Sequence, residues 1–323
     1  MNEKIKLGLI MSPGHYILGG FASAWIDLYV RGLVNRFECR LIAKQSDFDE
    51  HYDDVDALFS FDPGLAAPVL DWRRDVLRLG RRTLAKFNLR IPIGKRKPKL
   101  SYVSCGDPFK RKWRQDYMLE NEIAFMLALF DAPVRRHFTK IPSNRFVLFP
   151  FLVPDEWITD EPIVCRHQDK VCCFGAGGCD AYNVRNWCKE FDFVMSSPYS
   201  GVENKVLHGR AYFEWLKGFD AMVAAGSDLP KYDQTNPKYF EIAASGALLF
   251  AQKTSDLDLL GFRDMENCVI FEKSNFVDKA MEYLSHPEDY VPIREAGRRF
   301  IRDKHSLSVR LDFLEGHMRQ HLA

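Results

Sequence analysis

Short apolar runs along the amino-terminal half of the chain alternate with longer segments whose apolar residues recur every three or four positions. This spacing predicts five strands and two helices. The strands are expected at IKLGLIM, ECRLIAK, VDALFSF, LSYVSCG and RFVLFPF, and the helices at AWIDLYVRGLV and DYMLENEIAFMLALF. Strands that alternate with helices of this length are typical of a parallel sheet covered on both faces.

The pattern weakens at residues 153–169, which are polar, contain prolines and show no clear periodicity, so we place a linker there. A second round of alternation follows. Its strands are expected at KVCC, DFVMS, FDAMVAAG, ALLFAQ and NCVIFEK, and its helices at NVRNWCKEF, GRAYFEWLKG, NPKYFEIAASG and along the final segment. The expected fold class is therefore α/β, with two doubly wound, Rossmann-type parallel-sheet domains facing a central cleft. Ligands of such sheets bind beyond the carboxyl ends of the strands.

The expected domains are an N-terminal one at 1–155 and a C-terminal one at 168–304, with a terminal helix at 305–323 that packs back toward the first domain. A length of 323 residues is about twice a common domain size, which agrees with two domains. The composition, 46% hydrophobic and 28% charged, is ordinary for a globular protein. No apolar stretch approaches a membrane span and no signal peptide is evident, so we expect a cytoplasmic location.

Eight cysteines are present, but no pair has Cys-x-x-Cys spacing, and the cluster at 165–188 lacks a matching second half for a zinc site. Buried, reduced thiols of a cytosolic protein are the favoured interpretation. We therefore expect no structural metal.

The stretch NPKYFEIAASGALLF has the signals of a short helix that leads into a buried strand. Asn236 suits the N-cap, Pro237 the first helical position and Gly246 the C-cap. Because the helix follows the strand FDAMVAAG, its amino terminus is expected to form an anion site at the ligand edge of the sheet, with Lys238 beside it. The alternative is that Lys238 and Glu241 are solvated surface charges.

The order Asn-x-Lys-x-Phe-Glu-x-x-Ala-x-Gly before an apolar strand resembles the donor-site helix of GT-B glycosyltransferases. The closest resemblance is to the spore-maturation-type (CgeB-like) group, which is related to retaining glycosyltransferase family 4. The resemblance continues through KVCCFGAGGCDAYNVR and from FRDMENCVIFEK into the last helices. It covers the carboxyl half almost throughout, whereas the amino half matches mainly in layout.

This resemblance implies a site for a nucleoside-diphosphate sugar, the co-substrate, in the C-terminal domain. Glu241 would contact the ribose, and Asp233, eight positions earlier, would contact the transferred sugar, although the family more often has Glu there. Lys238, where Arg is commoner, and Arg185 would neutralise the diphosphate without a metal. The glycine loop and the helix supply the remaining implied donor-binding residues: Gly175, Gly177, Phe240, Ser245 and Gly246. The loop lacks the six-residue dinucleotide fingerprint, so NAD is not expected.

In the amino half, the loop SPGHYILGG follows the first predicted strand, where the GT-B fold brings backbone close to the transferred sugar and the acceptor. Gly19 and Gly20 would allow that approach. His15 would bond the donor or acceptor, or act as general base if the enzyme inverts. Asp107, in the loop CGDPF, is expected to meet an acceptor hydroxyl. Ordinary surface and turn roles are the alternatives for His15 and Asp107.

Residues 71–99 contain eleven Lys/Arg and two Asp, so this basic segment carries +9 and the remainder of the chain −8. Its apolar positions recur at helical spacing, which predicts a basic amphipathic helix. Such a helix can lie on an anionic membrane surface, where a lipid-linked acceptor would be found, or grip a polyanionic glycan or DNA phosphates. A helix packed on the sheet with a solvated basic face is an alternative of at least equal weight.

The resemblance implies a hexosyltransferase that moves a sugar from a nucleoside-diphosphate sugar to a hydroxyl of a glycan or glycolipid, as in polysaccharide biosynthesis. The Asp233 and Glu241 pair favours retention. One alternative is a phage-type DNA-base glycosyltransferase, although nucleic acid is the less favoured partner because aromatic and basic residues are not interleaved. Another is a non-catalytic protein of the same fold that binds sugar nucleotides or carbohydrate. A peripheral enzyme at the inner membrane face is expected if the basic segment binds lipid.

Overall fold

The computed structural model describes residues 3–11, 24–43, 45–60, 99–106, 108, 113–197, 207 and 209–322, and the structural statements below concern those residues. The chain divides into two compact units. Unit 1 comprises Met1–Phe149 and Leu311–Ala323, and unit 2 comprises Pro150–Arg310. Each unit has its own parallel sheet.

The sheet of unit 1 has six strands in the order β2-β1-β3-β4-β5-β6. They are β1 (Lys6–Ile10), β2 (Glu38–Ile42), β3 (Ala57–Ser60), β4 (Leu100–Cys105), β5 (Phe125–Ala128) and β6 (Phe146–Leu148). The helices are α1 (Ala24–Arg36), α2 (Gln45–His51), α3 (Trp113–Glu120) and α4 (Ala132–His137). The inner strands β1 and β3 are nearly continuous runs of buried residues, as expected when a parallel sheet is covered on both faces.

One predicted helix of unit 1 is wrong. The run DYMLENEIAFMLALF was expected to be a single helix, but α3 ends at Glu120 and β5 begins at Phe125. Glu122 adopts a left-handed φ of 53° in the turn between them, and Phe125 then pairs with Tyr102 of β4. A buried helix and a buried strand can both be built from such an apolar run, so periodicity does not separate them.

The sheet of unit 2 has five strands in the order β11-β10-β9-β7-β8. They are β7 (Val171–Cys173), β8 (Val194–Ser196), β9 (Ala221–Ala224), β10 (Leu248–Gln252) and β11 (Val269–Phe271). The helices are α5 (Asn183–Cys188), α6 (Gly209–Leu216), α7 (Pro237–Ser245), α8 (Leu257–Leu260), α9 (Phe276–Ser285) and α10 (Val291–His305).

The strand order of unit 2 reverses at β7 and β9. The chain moves from β7 to β8 on one side and then returns to β9 on the other side of β7. The carboxyl ends of β7 and β9 therefore form a topological switch point, which is where open α/β sheets bind their ligands.

Helix α7 begins and ends as its sequence predicts. The Asn236 side chain accepts a hydrogen bond from the Lys238 amide at 3.1 Å, and Pro237 occupies the first helical position. Gly246 ends the helix in the left-handed conformation, with φ of 82°. The helix contacts α6, α10, β9 and β10, and this packing buries its apolar face.

The last helix, α11 (Leu307–Leu322), begins in unit 2, and its residues from Leu311 onward belong to unit 1. In unit 1 the Tyr102 hydroxyl forms a hydrogen bond with His317 Nδ1 at 2.9 Å. Arg319 also donates to the Glu3 carbonyl at 3.2 Å. These two bonds tie the end of the chain to strand β4 and to the segment that precedes β1.

Candidate functional site

Two cationic side chains of unit 2 reach the switch point from different helices. Strand β7 leads into Gly175 and strand β9 leads into Ala225, and the two strands are hydrogen-bonded neighbours. Helix α5, which follows β7, supplies Arg185, and helix α7, which follows β9, supplies Lys238. The strand order therefore brings the two helices, and with them the two cations, to the same edge of the sheet.

Lys238 is held against the glycine loop. Its Nζ donates to the Phe174 carbonyl at 2.7 Å and lies 4.0 Å from the centre of the Phe174 ring. A carbonyl and an aromatic face both stabilise an ammonium group without neutralising it. Lys238 is thus fixed in place while its positive charge is kept, which is what an anion site requires.

Arg185 is buried, with only 4% of its surface exposed. Its Nε and Nη2 donate to the Ala225 carbonyl at 3.0 and 2.6 Å, and its Nη1 donates to the Ala176 carbonyl at 2.8 Å. The guanidinium also lies 4.4 Å from the centre of the Tyr182 ring. A buried cation bonded mainly to carbonyl oxygens keeps its charge, so it adds to the positive potential at the switch point.

Gly175 is the residue at which the two cations meet. A Cβ atom at this position would lie 1.9 Å from Lys238 Nζ and 3.2 Å from Arg185 Nη1. Its φ of 103° is also one that residues with a side chain rarely adopt. Gly177 is crowded in a similar way, because a Cβ there would lie 2.4 Å from Asn186 Oδ1. Gly175 and Gly177 therefore allow these side chains to approach the loop closely.

Glu241 lies on α7, three positions after Lys238. Its Oε2 accepts a hydrogen bond from the Tyr212 hydroxyl of α6 at 2.9 Å. Burial raises the pKa of Glu241 above its ordinary range, while the Tyr212 hydroxyl and the charge of Lys238 oppose that rise. The carboxylate is thus partly shielded from water and supported by one neutral donor and one cation.

Asp233 occupies a different part of the same sheet edge. Its Oδ1 accepts from the Ser255 amide at 3.1 Å, and its Oδ2 accepts from the Ser255 hydroxyl at 2.6 Å. Asp233 lines a pocket of about 480 Å³ whose walls come mainly from residues after the carboxyl ends of β9, β10 and β11. The other lining residues are Val184, Ser227, Asp228, Pro230, Gln252, Lys253, Phe271, Glu272, Lys273 and Ser274.

Both lysines that line this pocket are paired with acids. Lys253 Nζ lies 2.6 Å from Glu272 Oε1, and Lys273 Nζ lies 2.9 Å from Asp228 Oδ2. The lining therefore carries three acids and two lysines, and it offers hydrogen-bond donors and acceptors without a net positive charge. Such a lining suits the hydroxyl groups of a sugar better than a phosphate.

The remaining implied residues on α7 build the helix and its end. Phe240 is fully buried and packs edge-on against Phe262 and His305, with ring centres 5.5 and 4.9 Å away. The Ser245 hydroxyl donates to the Ile242 carbonyl at 2.7 Å. Gly246 provides the left-handed cap described above. These residues position the helix whose first turn carries Lys238.

Part of the predicted site lies outside the described residues. This applies to His15, Gly19, Gly20 and Asp107 and to the basic segment 71–99 apart from Lys99. Two residues that the sequence does not predict are Tyr212 and Ser255, the hydrogen-bond partners of the two acids. Tyr212 stands in the predicted helix GRAYFEWLKG, but nothing in that helix's periodicity points to Glu241.

Within the described ranges, no group of three or more His, Cys, Asp or Glu side chains is placed to hold a metal ion. Nor does that part of the chain contain a helix long and apolar enough to cross a membrane. The eight cysteines form no disulfide with one another, and Cys172, Cys173 and Cys188 are fully buried in unit 2.

Known proteins resemble this chain in sequence or in fold. Residues 163–316 match a family model described as glycosyl transferase-like. A search of curated proteins finds no match. Among solved structures the chain is similar to HepE of Anabaena in complex with UDP and glucose, at 10% identity, with a TM-score of 0.57 over 97% of this chain and 99% of that one.

Two further solved structures are similar over the whole length. The sucrose-phosphate synthase of Thermosynechococcus elongatus is 11% identical, with a TM-score of 0.55 over 98% of this chain and 99% of that one. AviGT4, a glycosyltransferase involved in avilamycin A biosynthesis, is 12% identical, with a TM-score of 0.55 over 98% of both chains. The structural likeness confirms the predicted GT-B type of fold. The family match, which lies almost wholly in unit 2, confirms the predicted enzyme class of glycosyltransferase.

Proposed function

We propose that the protein transfers a hexose-type sugar from a nucleoside-diphosphate sugar to a hydroxyl group of a glycan or glycolipid, with retention and without a metal. The observation that carries this proposal is the meeting of Lys238 and Arg185 at Gly175, at the switch point of unit 2. Two fixed cations beside a helix amino terminus are suited to a diphosphate.

The two cations would act on the leaving group. When the bond between the sugar and the diphosphate breaks, negative charge develops on the diphosphate. Lys238 and Arg185 would exchange some of their carbonyl partners for phosphate oxygens and stabilise that charge. Both side chains are already ordered by the glycine loop, so little conformational entropy is lost when the ligand binds.

The two acids would hold the ends of the donor on either side of the diphosphate. Glu241, beside Lys238, would accept hydrogen bonds from the ribose. Asp233, in the pocket of about 480 Å³, would accept hydrogen bonds from the transferred sugar. This division of roles supports retention, as does the proposed relation to the spore-maturation-type group.

Other parts of the proposal concern the nucleotide, the acceptor and the location. HepE, the similar protein from Anabaena, binds UDP and UDP-glucose, so UDP is the first nucleotide to test. From the sequence, we further propose a glycan or lipid-linked acceptor in polysaccharide biosynthesis. We also propose that the enzyme is cytoplasmic and binds an anionic membrane surface through residues 71–99.

A second candidate is a non-catalytic protein that binds sugar nucleotides. The observation in its favour is that both Asp233 oxygens already accept hydrogen bonds from Ser255. Such a protein would bind the donor but would neither transfer nor hydrolyse the sugar. Release of free diphosphate from a bound sugar nucleotide separates the two candidates.

The first test is a thermal shift screen of the full chain with UDP, GDP, ADP, CMP and their sugar conjugates in the presence of EDTA. At a ligand concentration 100 times the dissociation constant, stabilisation of unit 2 is expected to raise its Tm by about 5–10 °C. Lys238→Ala should weaken binding by about tenfold to a hundredfold because it removes a charged hydrogen-bond donor.

Lys279→Ala is the matched control, because Lys279 also donates to a backbone carbonyl, that of Ile270, at 2.7 Å, but lies outside the proposed site. It should bind the nucleotide as the wild type does. If no nucleotide shifts the wild-type protein, or if both lysine variants lose binding equally, the donor site is not where we place it.

A further inference from the structure

The Tyr212 hydroxyl makes the one side-chain hydrogen bond found for the Glu241 carboxylate in the described part of the chain. The bond joins α6 to α7, two helices that contact each other, and Tyr212 is only 8% exposed. The Tyr212 hydroxyl donates to Glu241 Oε2 at 2.9 Å, and no hydrogen bond to Oε1 is found among the described residues. The carboxylate is thus anchored by one oxygen, with the other available to a ligand.

The Tyr212 ring is itself fixed by aromatic neighbours. It stacks on Trp215, with ring centres 6.1 Å apart, and it packs at an angle on Phe174, 6.3 Å away. Phe174 is also the ring that carries Lys238 on its face. Phe174 therefore contacts both Lys238 and Tyr212, the residue that binds Glu241, so a rotation of Tyr212 would disturb both the acid and the cation.

The groups that act on Glu241 are few. Burial disfavours its charged form, and among the described residues the Tyr212 hydroxyl and Lys238 oppose that effect. Strands β9 and β10, which pack on α7, contain no titratable residue. Helices α6 and α10 carry further charged or titratable groups: Arg210, Glu214, Arg294, Glu295, Arg298, Arg299, Arg302, Asp303, Lys304 and His305. Those whose partners are seen bond to backbone carbonyls or to charged groups other than Glu241, such as Arg294 to the Gly246 carbonyl, Arg210 to Glu214 and Glu295 to Arg299.

We propose that Tyr212 is the positioning residue of the donor site, which orients Glu241 so that Oε1 accepts a hydrogen bond from a ribose hydroxyl of the nucleoside diphosphate. The inference rests on the proposed function, in which Glu241 faces the ribose. Without the Tyr212 hydroxyl, Glu241 would lose both its orientation and a stabiliser of its anion, and a protonated carboxyl group accepts a ribose hydroxyl less well.

This role can be separated from a structural one by the ribose itself. A site built to hydrogen-bond a hydroxyl group rejects a ligand that lacks it. The wild-type protein is therefore expected to bind UDP at least about tenfold more tightly than 2′-deoxy-UDP. In Tyr212→Phe the affinity for UDP should fall about tenfold, and the preference over 2′-deoxy-UDP should fall toward one.

The pH dependence gives a second readout. Loss of the Tyr212 hydrogen bond raises the pKa of Glu241 further, so the pH below which UDP binding weakens should move upward in Tyr212→Phe. Tyr239→Phe is the matched control, because the Tyr239 hydroxyl is also buried and donates to a carbonyl, that of Gln252, at 2.8 Å. It should lower the stability and keep both the ribose preference and the pH midpoint.

The measurement is isothermal titration of the full chain with UDP and 2′-deoxy-UDP from pH 5 to pH 9, with GDP or ADP and their deoxy forms if the wild type binds those instead. The inference is overturned if Tyr212→Phe keeps the ribose preference and the pH midpoint and behaves like Tyr239→Phe. It is overturned together with the proposed function if the wild type binds no nucleoside diphosphate. If UDP binding is lost in Lys238→Ala but unchanged in Tyr212→Phe, the inference about Tyr212 is overturned and the proposed function is not.

Discussion

Substitution of Gly175 by alanine tests the cation pair most sharply, because the same loop offers a matched control. A Cβ at Gly175 would lie 1.9 Å from Lys238 Nζ, whereas a Cβ at Gly178 would meet nothing within 4 Å. Both glycines have positive φ, 103° and 80°. Gly175→Ala and Gly178→Ala therefore share the backbone strain, and only the first displaces the lysine.

The magnitudes of the two effects differ. Backbone strain at a positive φ costs about 1–3 kcal/mol and should lower the free energy of unfolding in both variants. Displacement of Lys238 Nζ breaks its bond to the Phe174 carbonyl, but the ammonium group is at the end of a flexible side chain and regains water. That adds only about 1 kcal/mol to the loss of stability, so ligand affinity is the more sensitive readout.

The assays are urea unfolding followed by tryptophan fluorescence and calorimetric titration with UDP or whichever diphosphate binds. Gly178→Ala should lose stability and keep the wild-type dissociation constant. Gly175→Ala should lose slightly more stability and bind at least about tenfold more weakly, because the displaced cation no longer reaches the phosphate. Equal affinities in the two variants would refute the placement of the diphosphate at Gly175.

Three further predictions concern the charged residues of the site. Arg185→Lys should lose about 1–3 kcal/mol of stability and at least about tenfold in diphosphate affinity, because an ammonium group cannot bridge the Ala225 and Ala176 carbonyls as the guanidinium does. Chemical denaturation tests the stability, and calorimetric titration tests the affinity. Glu241→Gln should raise the Tm of the unliganded protein at pH 8 and have little effect on it below the ordinary pKa of a glutamate, while nucleotide affinity falls. Burial raises the pKa of Glu241 in the folded protein, so its ionisation lowers stability as the pH rises from the ordinary pKa of a glutamate to the raised one, and the cost is complete above the raised pKa. A thermal scan across pH that showed the largest stability gain in acid would contradict this expectation. Asp233→Asn should leave the affinity for UDP unchanged and lower the transfer rate by about a hundredfold or more, as the kcat and the dissociation constant measured separately would show.

The parts of the site that sequence predicts are those set by local signals. Asn236, Pro237 and Gly246 define α7 through capping and backbone preferences that act within a few residues, and all three take the predicted positions. The alternation of apolar strands and amphipathic helices likewise predicts two parallel sheets, because each strand must bury both faces.

The parts that sequence does not predict depend on the path of the chain. Lys238 and Arg185 are fifty-three positions apart, and their meeting at Gly175 follows from the pairing of β7 with β9, which no local pattern encodes. The bond from Tyr212 to Glu241 likewise requires that α6 and α7 pack together. The wrong helix at DYMLENEIAFMLALF has a similar origin, because its second half becomes a strand only through pairing with β4.

We propose above all that a nucleoside diphosphate binds between Lys238, Arg185 and Glu241. The most direct measurement is a crystal structure of the protein grown with UDP, or with the diphosphate that the thermal screen selects, in the absence of divalent metal. We expect phosphate oxygens at about 3 Å from Lys238 Nζ and from the Arg185 guanidinium, with the ribose at Glu241. A diphosphate bound elsewhere on the chain, with the Lys238 bond to the Phe174 carbonyl unchanged, would contradict the claim.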